Sequence, residues 1–347
     1  HCPFLDMHSG FELTAIVELS KKKAQQEYAN IKSYDTVDAL LNDASIELVI
    51  INTPSATHFE FALKAIQLNK HILVEKPFTV TSAEAKILYQ EAKKNNCFIM
   101  PFQNRRYDSD FLSVKSVVES GKLGDLVEVH FRYDRYKPAM NQTASKELPI
   151  PGNGVLYNLI PHTLDAAIEL FGIPESWNKT LHGNRAETQI DDYAHIHLKY
   201  SNGLQVFLTA NLLVADALPA FVLHGAKGSY MKERTDVQET QLNTGIKPNN
   251  PLFGIEPSGK EGVLTIIKDD VKIMSFDHKI SDLKYKINGL IHKDVCQKII
   301  NIFEKYPELH VQESSYKFKT KKEEINKLLA IVTLKYQAIE ITKKEIK

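Results

Sequence analysis

The chain has 347 residues, with 43 Lys plus Arg against 43 Asp plus Glu, so no net field draws nucleic acid or an anionic membrane surface to it. Hydrophobic residues make up 43%, ample for two packed cores, and no apolar run approaches the roughly 18 to 20 residues that span a bilayer. Three scattered cysteines, Cys2, Cys97 and Cys296, argue for reduced thiols in a cytoplasmic protein and against a disulfide frame or a zinc knuckle.

In chain order, His1 to His8 reads as the tail of a helix and Phe11 to Glu18 as a strand. Ser20 caps a helix running to Tyr28 with Lys21, Lys22 and Lys23 on its solvated face, and Ile31 to Tyr34 is the next strand. Asp35 is read as the N-cap of a short helix from Val37 to Leu41. Leu48 to Ile51 and Ile72 to Val74 are continuously apolar and β-branched, as parallel strands buried on both faces require. Between them Phe59, Ala62, Leu63 and Ile66 recur at helical spacing, and Asn69 stops the helix at a left-handed C-cap position. Thr81 or Ser82 caps a further helix to about Asn95, Cys97 to Met100 is a strand, and the first domain ends near Phe102. Strands alternating with helices predict a parallel sheet.

After a helix from Phe111 to Glu119 the texture changes. Leu126 to Tyr133, Ala194 to Tyr200, Leu204 to Leu212 and Phe221 to Leu223 alternate, and Asn202-Gly203 signals a hairpin, which predicts a large, mainly antiparallel sheet. One face needs covering by the helix after Gly154 and by C-terminal helices, and the other suits a second subunit, giving a homodimer or homotetramer. From Lys284 onward, Val295, Ile299, Ile302 and Phe303, then Ile325, Leu328, Leu329 and Val332, mark two amphipathic helices that pack on the body. The domains expected are thus 1–102, 103–283 and 284–347.

Ligands of open parallel sheets bind outside the carboxyl ends of the strands, where Asn52-Thr53-Pro54 and Glu75-Lys76-Pro77 fall. Thr53-Pro54 with His58 four residues on, followed by Lys70-His71-Ile72-Leu73-Val74-Glu75-Lys76-Pro77, resembles the glucose-fructose oxidoreductase, inositol dehydrogenase and rhizopine-catabolism (Gfo/Idh/MocA) family of nicotinamide-dependent enzymes. Asn104-Arg105-Arg106-Tyr107, Ser120-Gly121-Lys122-Leu123-Gly124 and the stretch Gly152 to Asp165 extend the resemblance, which runs from about Phe11 to about Gly262. It implies an α/β fold, a Rossmann-type doubly wound parallel sheet followed by an α+β domain. It also implies hydride transfer between a nicotinamide and a sugar, polyol or related hydroxy/keto compound. The Gly-x-Gly-x-x-Gly turn of such domains is missing, and the expectation is that a first strand and this turn, about 15 to 20 residues, precede His1.

Glu18, at a strand end, is placed to accept hydrogen bonds from ribose hydroxyls and to repel a 2′-phosphate, which favours NAD over NADP, while Ser20 with the following lysines offers a phosphate site. Asn52, Thr53, Pro54, His58, Glu75, Lys76, Asn104 and Arg106 complete the expected cofactor contacts. Hydride transfer from a carbinol also moves a hydroxyl proton, and Lys76 sits where desolvation favours its neutral amine. Pro77 stiffens the turn that presents it. In the resembled family an Asp and a His one turn apart complete a Lys-Asp-His group. His162 matches the histidine, but the carboxylate position holds Asn158, and an amide takes no proton. Residues four apart share a helix face, so 158 and 162 are expected to reach one ligand. Tyr133, Arg135, Tyr136 and Asp192 are candidates for substrate contacts, and one arginine of Asn104-Arg105-Arg106 for substrate or an interdomain salt bridge. His195 and His197 lack a third ligand nearby in sequence, and no metal is expected. A non-catalytic, ligand-sensing protein of the same fold is the rival reading, favoured by Asn158.

Overall fold

The computed structural model describes residues 1–18, 22–28 and 30–276, so Ser20 and the helices expected after Lys284 lie outside the described residues. The chain divides into two compact units, the first covering His1–Phe102 and the second beginning at Gln103.

The first unit alternates helix and strand: α1 (Cys2–Met7), β1 (Ala15–Val17), α2 (Lys23–Glu27), β2 (Lys32–Tyr34), α3 (Val37–Leu41), β3 (Leu48–Ile51), α4 (His58–Gln67), β4 (His71–Val74), α5 (Ser82–Lys94) and β5 (Ile99–Pro101). β1 pairs with β2, and β3, β4 and β5 pair in that order, every ladder parallel. Parallel ladders linked by helices are those of a Rossmann-type sheet. The core lies where α4 and α5 pack on β3 and β4: Ile51, Ala62, Ala65, Ile66, Ile72, Val74, Phe78 and Leu88 are buried. Asn69 has φ +58°, the left-handed conformation that stops α4. Thr81 and Glu84 close a capping box at the start of α5. The N-cap of α3 is Thr36 rather than Asp35: the Thr36 hydroxyl oxygen accepts the Ala39 N–H, while Asp35 pairs with Lys22.

The second unit holds α6 (Ser109–Glu119), β6 (Leu126–Asp134), α7 (Val155–Asn158), α8 (Ile160–Phe171), β7 (Ser176–His182), β8 (Tyr193–Lys199), β9 (Gln205–Asn211), β10 (Phe221–Gly225), β11 (Gly228–Lys232), α9 (Val237–Asn243), β12 (Val263–Lys268) and β13 (Val271–Phe276). Its eight strands form one sheet of order β13-β12-β11-β10-β6-β9-β8-β7, antiparallel except for the β6–β9 pair. Helix α8 covers one face, burying Val129, Phe131, Ile196, Val206 and Leu208 against Leu164, Ala167 and Ile168. On the other face Phe207 is stacked between His130 and His197, at centroid distances of 4.9 and 4.4 Å. Among the described residues no helix is long and apolar enough to cross a membrane.

Candidate functional site

Parallel strands end at the same edge of their sheet, so β3 and β4 deliver Asn52-Thr53-Pro54 and Glu75-Lys76-Pro77 side by side. The ladder stops at Ile51 and Val74, apart from a last bond from the Glu75 N–H to the Ile51 carbonyl at 3.0 Å. Asn52 and Pro54 are exposed, and Thr53, Glu75 and Lys76 are half-buried. Thr57 Oγ1 lies 2.8 Å from Thr53 Oγ1 and 2.7 Å from the Pro54 carbonyl. The Lys76–Pro77 peptide is cis. The Glu75 carboxylate accepts the Lys76 N–H at 3.1 Å and faces His1 Nε2 at 2.9 Å. Burial pushes the Glu75 pKa up, against the neighbouring Lys76 N–H and charge. His58, expected among the cofactor contacts, is instead inside the corner, with Nδ1 2.8 Å from the Pro77 carbonyl and Nε2 2.9 Å from that of Thr53. Glu18 ends β1, where its Oε1 accepts the Ala24 N–H of α2 at 3.0 Å and Lys22 Nζ lies 3.3 Å from its backbone carbonyl.

In the second unit the loop Gly152 to Gly154 leads into α7, and Asp191 receives that helix. Its carbonyl accepts the Val155 N–H at 3.0 Å and its Oδ2 the Leu156 N–H at 2.7 Å, which pairs donors that a helix start leaves open. Burial raises the Asp191 pKa. Gly154 has φ +86°, and a Cβ there would run into the Asp191 carboxylate, so both backbone and space require glycine.

The expectation of one continuous helix through residues 158 and 162 is corrected. Helix α7 ends at Asn158 and α8 begins at Ile160, because Pro161 has no N–H for the Tyr157 carbonyl and its ring crowds that turn. The His162 N–H bonds the Leu159 carbonyl at 3.1 Å, three residues back. Asn158 is exposed, whereas His162 is buried and stacks on Tyr133 at 5.8 Å. The guanidinium carbons of Arg234, Arg135 and Arg105 lie 4.3, 5.0 and 5.9 Å from the Tyr133 ring centre, and Arg135 donates to the Tyr133 hydroxyl at 3.2 Å. A narrow cleft is lined by Arg105, Arg106, Asp110, His162, Asp165 and Arg234 among others. Tyr136 is exposed at an isolated bridge to Leu213, and Asn104 opens a 3-10 turn that runs to Tyr107.

Two expected ligand contacts turn out to be internal ties. Arg106, expected to hold cofactor, directs Nε and Nη2 to Asp165 at 2.6 and 2.8 Å and Nη1 to Glu169 at 2.8 Å, which binds its turn to α8. Asp192, expected to meet substrate, is wholly buried: it accepts the Asn184 N–H at 2.9 Å and the Arg185 N–H at 2.8 Å and pairs with the Arg185 guanidinium. Burial alone would raise its pKa, but these hydrogen bonds hold it below the ordinary value. One arginine of the Asn104–Tyr107 turn is expected to bind substrate or make an interdomain salt bridge; Arg105 pairs within the second unit, with Asp108, Asp236 and Glu239. Sequence reasoning missed Arg234 and Asp110, which lie 72 and 52 residues from His162 and carry no spacing signal. It assigned no role to Asp165 and Glu169, although their separation of four places both on the Arg106 side of α8. Among the described residues no group of three or more His, Cys, Asp or Glu is arranged to hold a metal ion.

Comparison with known proteins fits this geometry. Residues 1–103 match the profile of an oxidoreductase family with an NAD-binding Rossmann fold, and residues 111–231 match the Gfo/Idh/MocA C-terminal domain. An uncharacterized oxidoreductase of Schizosaccharomyces pombe is 38% identical over 295 residues, 81% of this chain and 80% of its own length. The scyllo-inositol 2-dehydrogenase (NADP(+)) IolW of Bacillus subtilis is 31% identical over 78% of this chain and 75% of its own. The structure of the oxidoreductase YvaA of Bacillus subtilis superposes with a TM-score of 0.81 at 26% identity, covering 99% of this chain and 92% of the other.

Replacing Gly154 by Ala combines a left-handed backbone strained for any Cβ with a clash against the Asp191 carboxylate. Thermal melting of Gly154→Ala is expected to show a loss of about 2 kcal/mol. An unchanged melting temperature would mean that the Asp191 cap is not a fixed feature.

Proposed function

From its membership of the Gfo/Idh/MocA oxidoreductase family, to which this chain belongs, we propose that the protein moves a hydride between NAD(P) and a carbinol carbon of a polyol, sugar or related hydroxy/keto compound. The observation that carries this reading is the corner after β3 and β4, where half-buried Lys76 follows half-buried Glu75 at the carboxyl edge of a parallel sheet. The donor set suits a dinucleotide: the Glu18 carboxylate for ribose hydroxyls, the Asn52 amide and Thr53 hydroxyl at the next strand end, and the Lys76 ammonium. A bound nicotinamide supplies the hydride acceptor or donor.

The chain's own residues then handle the substrate hydroxyl and its proton. Lys76 Nζ polarises or deprotonates the hydroxyl, and Glu75 supplies the adjacent negative charge. His162, in the second unit, is the residue suited to proton exchange near neutral pH, with Tyr133 and Arg135 as polar and aromatic contacts for a polyol. Asn158 contributes amide hydrogen bonds in place of a carboxylate. It is also what favours the rival reading of a ligand sensor, against which stand Lys76 and His162.

Substitution separates the readings. Lys76→Ala is expected to lower turnover of a polyol found by screening inositols and aldoses by about 10² to 10⁴, with the fold intact by circular dichroism. A Lys76→Ala protein with the parental rate constant removes Lys76 from the mechanism, and binding of a polyol without any dinucleotide reduction supports the sensor.

Cofactor choice is read from Glu18. Its carboxylate at the end of β1 supports NAD, whereas Lys22 beside it and the name of the Bacillus subtilis relative support NADP. Fluorescence titration is expected to give tighter binding of NADH than of NADPH, with the ratio falling roughly tenfold in Glu18→Gln, the factor that about 1.4 kcal/mol supplies. Tighter NADPH binding by the parental protein would overturn the NAD preference.

As partner we propose a second copy of the chain, docked on the sheet face that α8 leaves open. Eight strands about 4.8 Å apart and some six residues long offer roughly 700 Å², close to the ~800 Å² per partner of a stable dimer. Phe207 is half-buried on that face, and Met274 and Phe276, which the strand register places on the same face, are exposed at its β13 edge. Light scattering is expected to find a dimer or tetramer that Phe207→Glu dissociates; a monomeric parent, or an undisturbed Phe207→Glu oligomer, rejects this face.

A further inference from the structure

We propose that His58 is a positioning residue, whose imidazole ties the corner after β3 to the corner after β4 and thereby holds Lys76 in place. The inference rests on the reading of Lys76 given above, and it starts from an accounting of backbone hydrogen bonds. The β3–β4 ladder closes with Glu75 N–H on the Ile51 carbonyl; among the described residues no backbone hydrogen bond joins 52–54 to 75–77 beyond that point. Pro54 and Pro77 bring no N–H of their own. Beyond that point a buried side chain reaches the backbone of both corners.

That side chain is His58, the first residue of α4, at 1% exposure. Nε2 reaches back 2.9 Å to the Thr53 carbonyl, on the chain that has just left β3, and Nδ1 reaches 2.8 Å to the Pro77 carbonyl, directly after Lys76. A ring with two N–H groups donates to both carbonyls, whereas a neutral ring donates to one and sets a bare lone pair against the other, so the tie across both corners needs both N–H groups. One flat, buried group then spans both corners, which neither Asn nor Ser is long enough or suitably forked to do. Thr57 fixes the β3 corner internally through Thr53 Oγ1 and the Pro54 carbonyl, so His58 ties the Pro77 carbonyl to a corner that is itself held. The residue touches no part of the substrate in this account; it acts through Lys76.

The test couples His58 to Lys76 and also reads the tie without any substrate. In the first arm, amide hydrogen exchange of the purified protein is compared for the parent, His58→Ala and His58→Gln. At least tenfold faster exchange is expected at 53–57 and 75–79 in His58→Ala, with unchanged exchange in β3 and β4 and an intermediate effect in His58→Gln. Unchanged exchange at either corner overturns the proposal. In the second arm, turnover of the polyol identified by screening is measured for His58→Ala, Lys76→Ala and the double variant. His58→Ala is expected to lower kcat roughly 10- to 100-fold, and in the Lys76→Ala background to have no further effect. Independent, multiplying losses would show that His58 supports the fold without positioning Lys76. If Lys76→Ala alone leaves the rate unchanged, the reading of Lys76 fails while the exchange arm still decides whether the tie exists. Should His58→Ala not fold, the His58→Gln cycle carries both arms.

Discussion

A backbone N–H or carbonyl that leaves a strand or opens a helix inside a protein has to find a partner, and this requirement organises the candidate residues of each unit. β4 is buried along most of its length and β3 at its carboxyl end, and beyond those ends the carbonyls of Thr53 and Pro77 meet the two nitrogens of His58. In the second unit the first N–H groups of α7 meet Asp191, through its carbonyl and its carboxylate. Residues that look in sequence like ligands of a small molecule are, in these cases, ligands of the backbone. In the first unit Lys76 lies beside such a backbone tie, and in the second the chain that leaves α7 leads to His162.

The most legible part of the sequence was the stretch with the strongest periodicity. β3, α4 and β4 follow from apolar runs and three-and-four spacing, and the Asn69 stop follows from a conformation that few side chains tolerate. The large sheet was legible where alternation is strong, in β6, β8 and β9. β7 and β13 were not, for a physical reason. Ser176–His182 faces solvent with every second residue and carries few apolar ones, and β13 is exposed along its whole length at the sheet edge. Neither strand buries a fully apolar face, so little hydrophobic period is impressed on its sequence. The N-cap of α3 shows a finer limit, since Asp35 and Thr36 are both good caps, and only the end of β2 at Tyr34 and the pull of Lys22 on Asp35 choose between them.

Charged residues were the hardest to assign, because their partners are far away in sequence. Arg106 finds Asp165 59 positions on and Glu169 63 positions on, and Arg105 finds Asp236 131 positions on. A buried guanidinium left unpaired is costly, so once inside the unit these arginines are committed to carboxylates. Asp192 is the same case with the sign reversed, buried with the Arg185 guanidinium, which also reaches Glu147. Nothing local in the sequence separates such a residue from one that waits for a ligand. Position at a strand end or domain start raises the prior for both.

The break between α7 and α8 changes what Asn158 means. On one continuous helix an amide four residues before His162 would stand in for a carboxylate that acts on that ring. With the break at Leu159, Asn158 is exposed, and His162 has its environment set by the Tyr133 ring, which carries Arg234, Arg135 and Arg105 around it. The carboxyl group that shares a cleft with His162 and titrates abnormally is Asp110. Burial pushes it well above the usual carboxylate range in spite of Arg234, at 3.8 Å, and the Thr235 N–H at 2.8 Å. Arg234 is the cation nearest to the Tyr133 ring, and through that one guanidinium the Asp110 carboxyl is joined to the Tyr133–His162 stack. A buried carboxyl of this cleft is thus contributed by α6, whereas the amide at position 158 is exposed beyond the break.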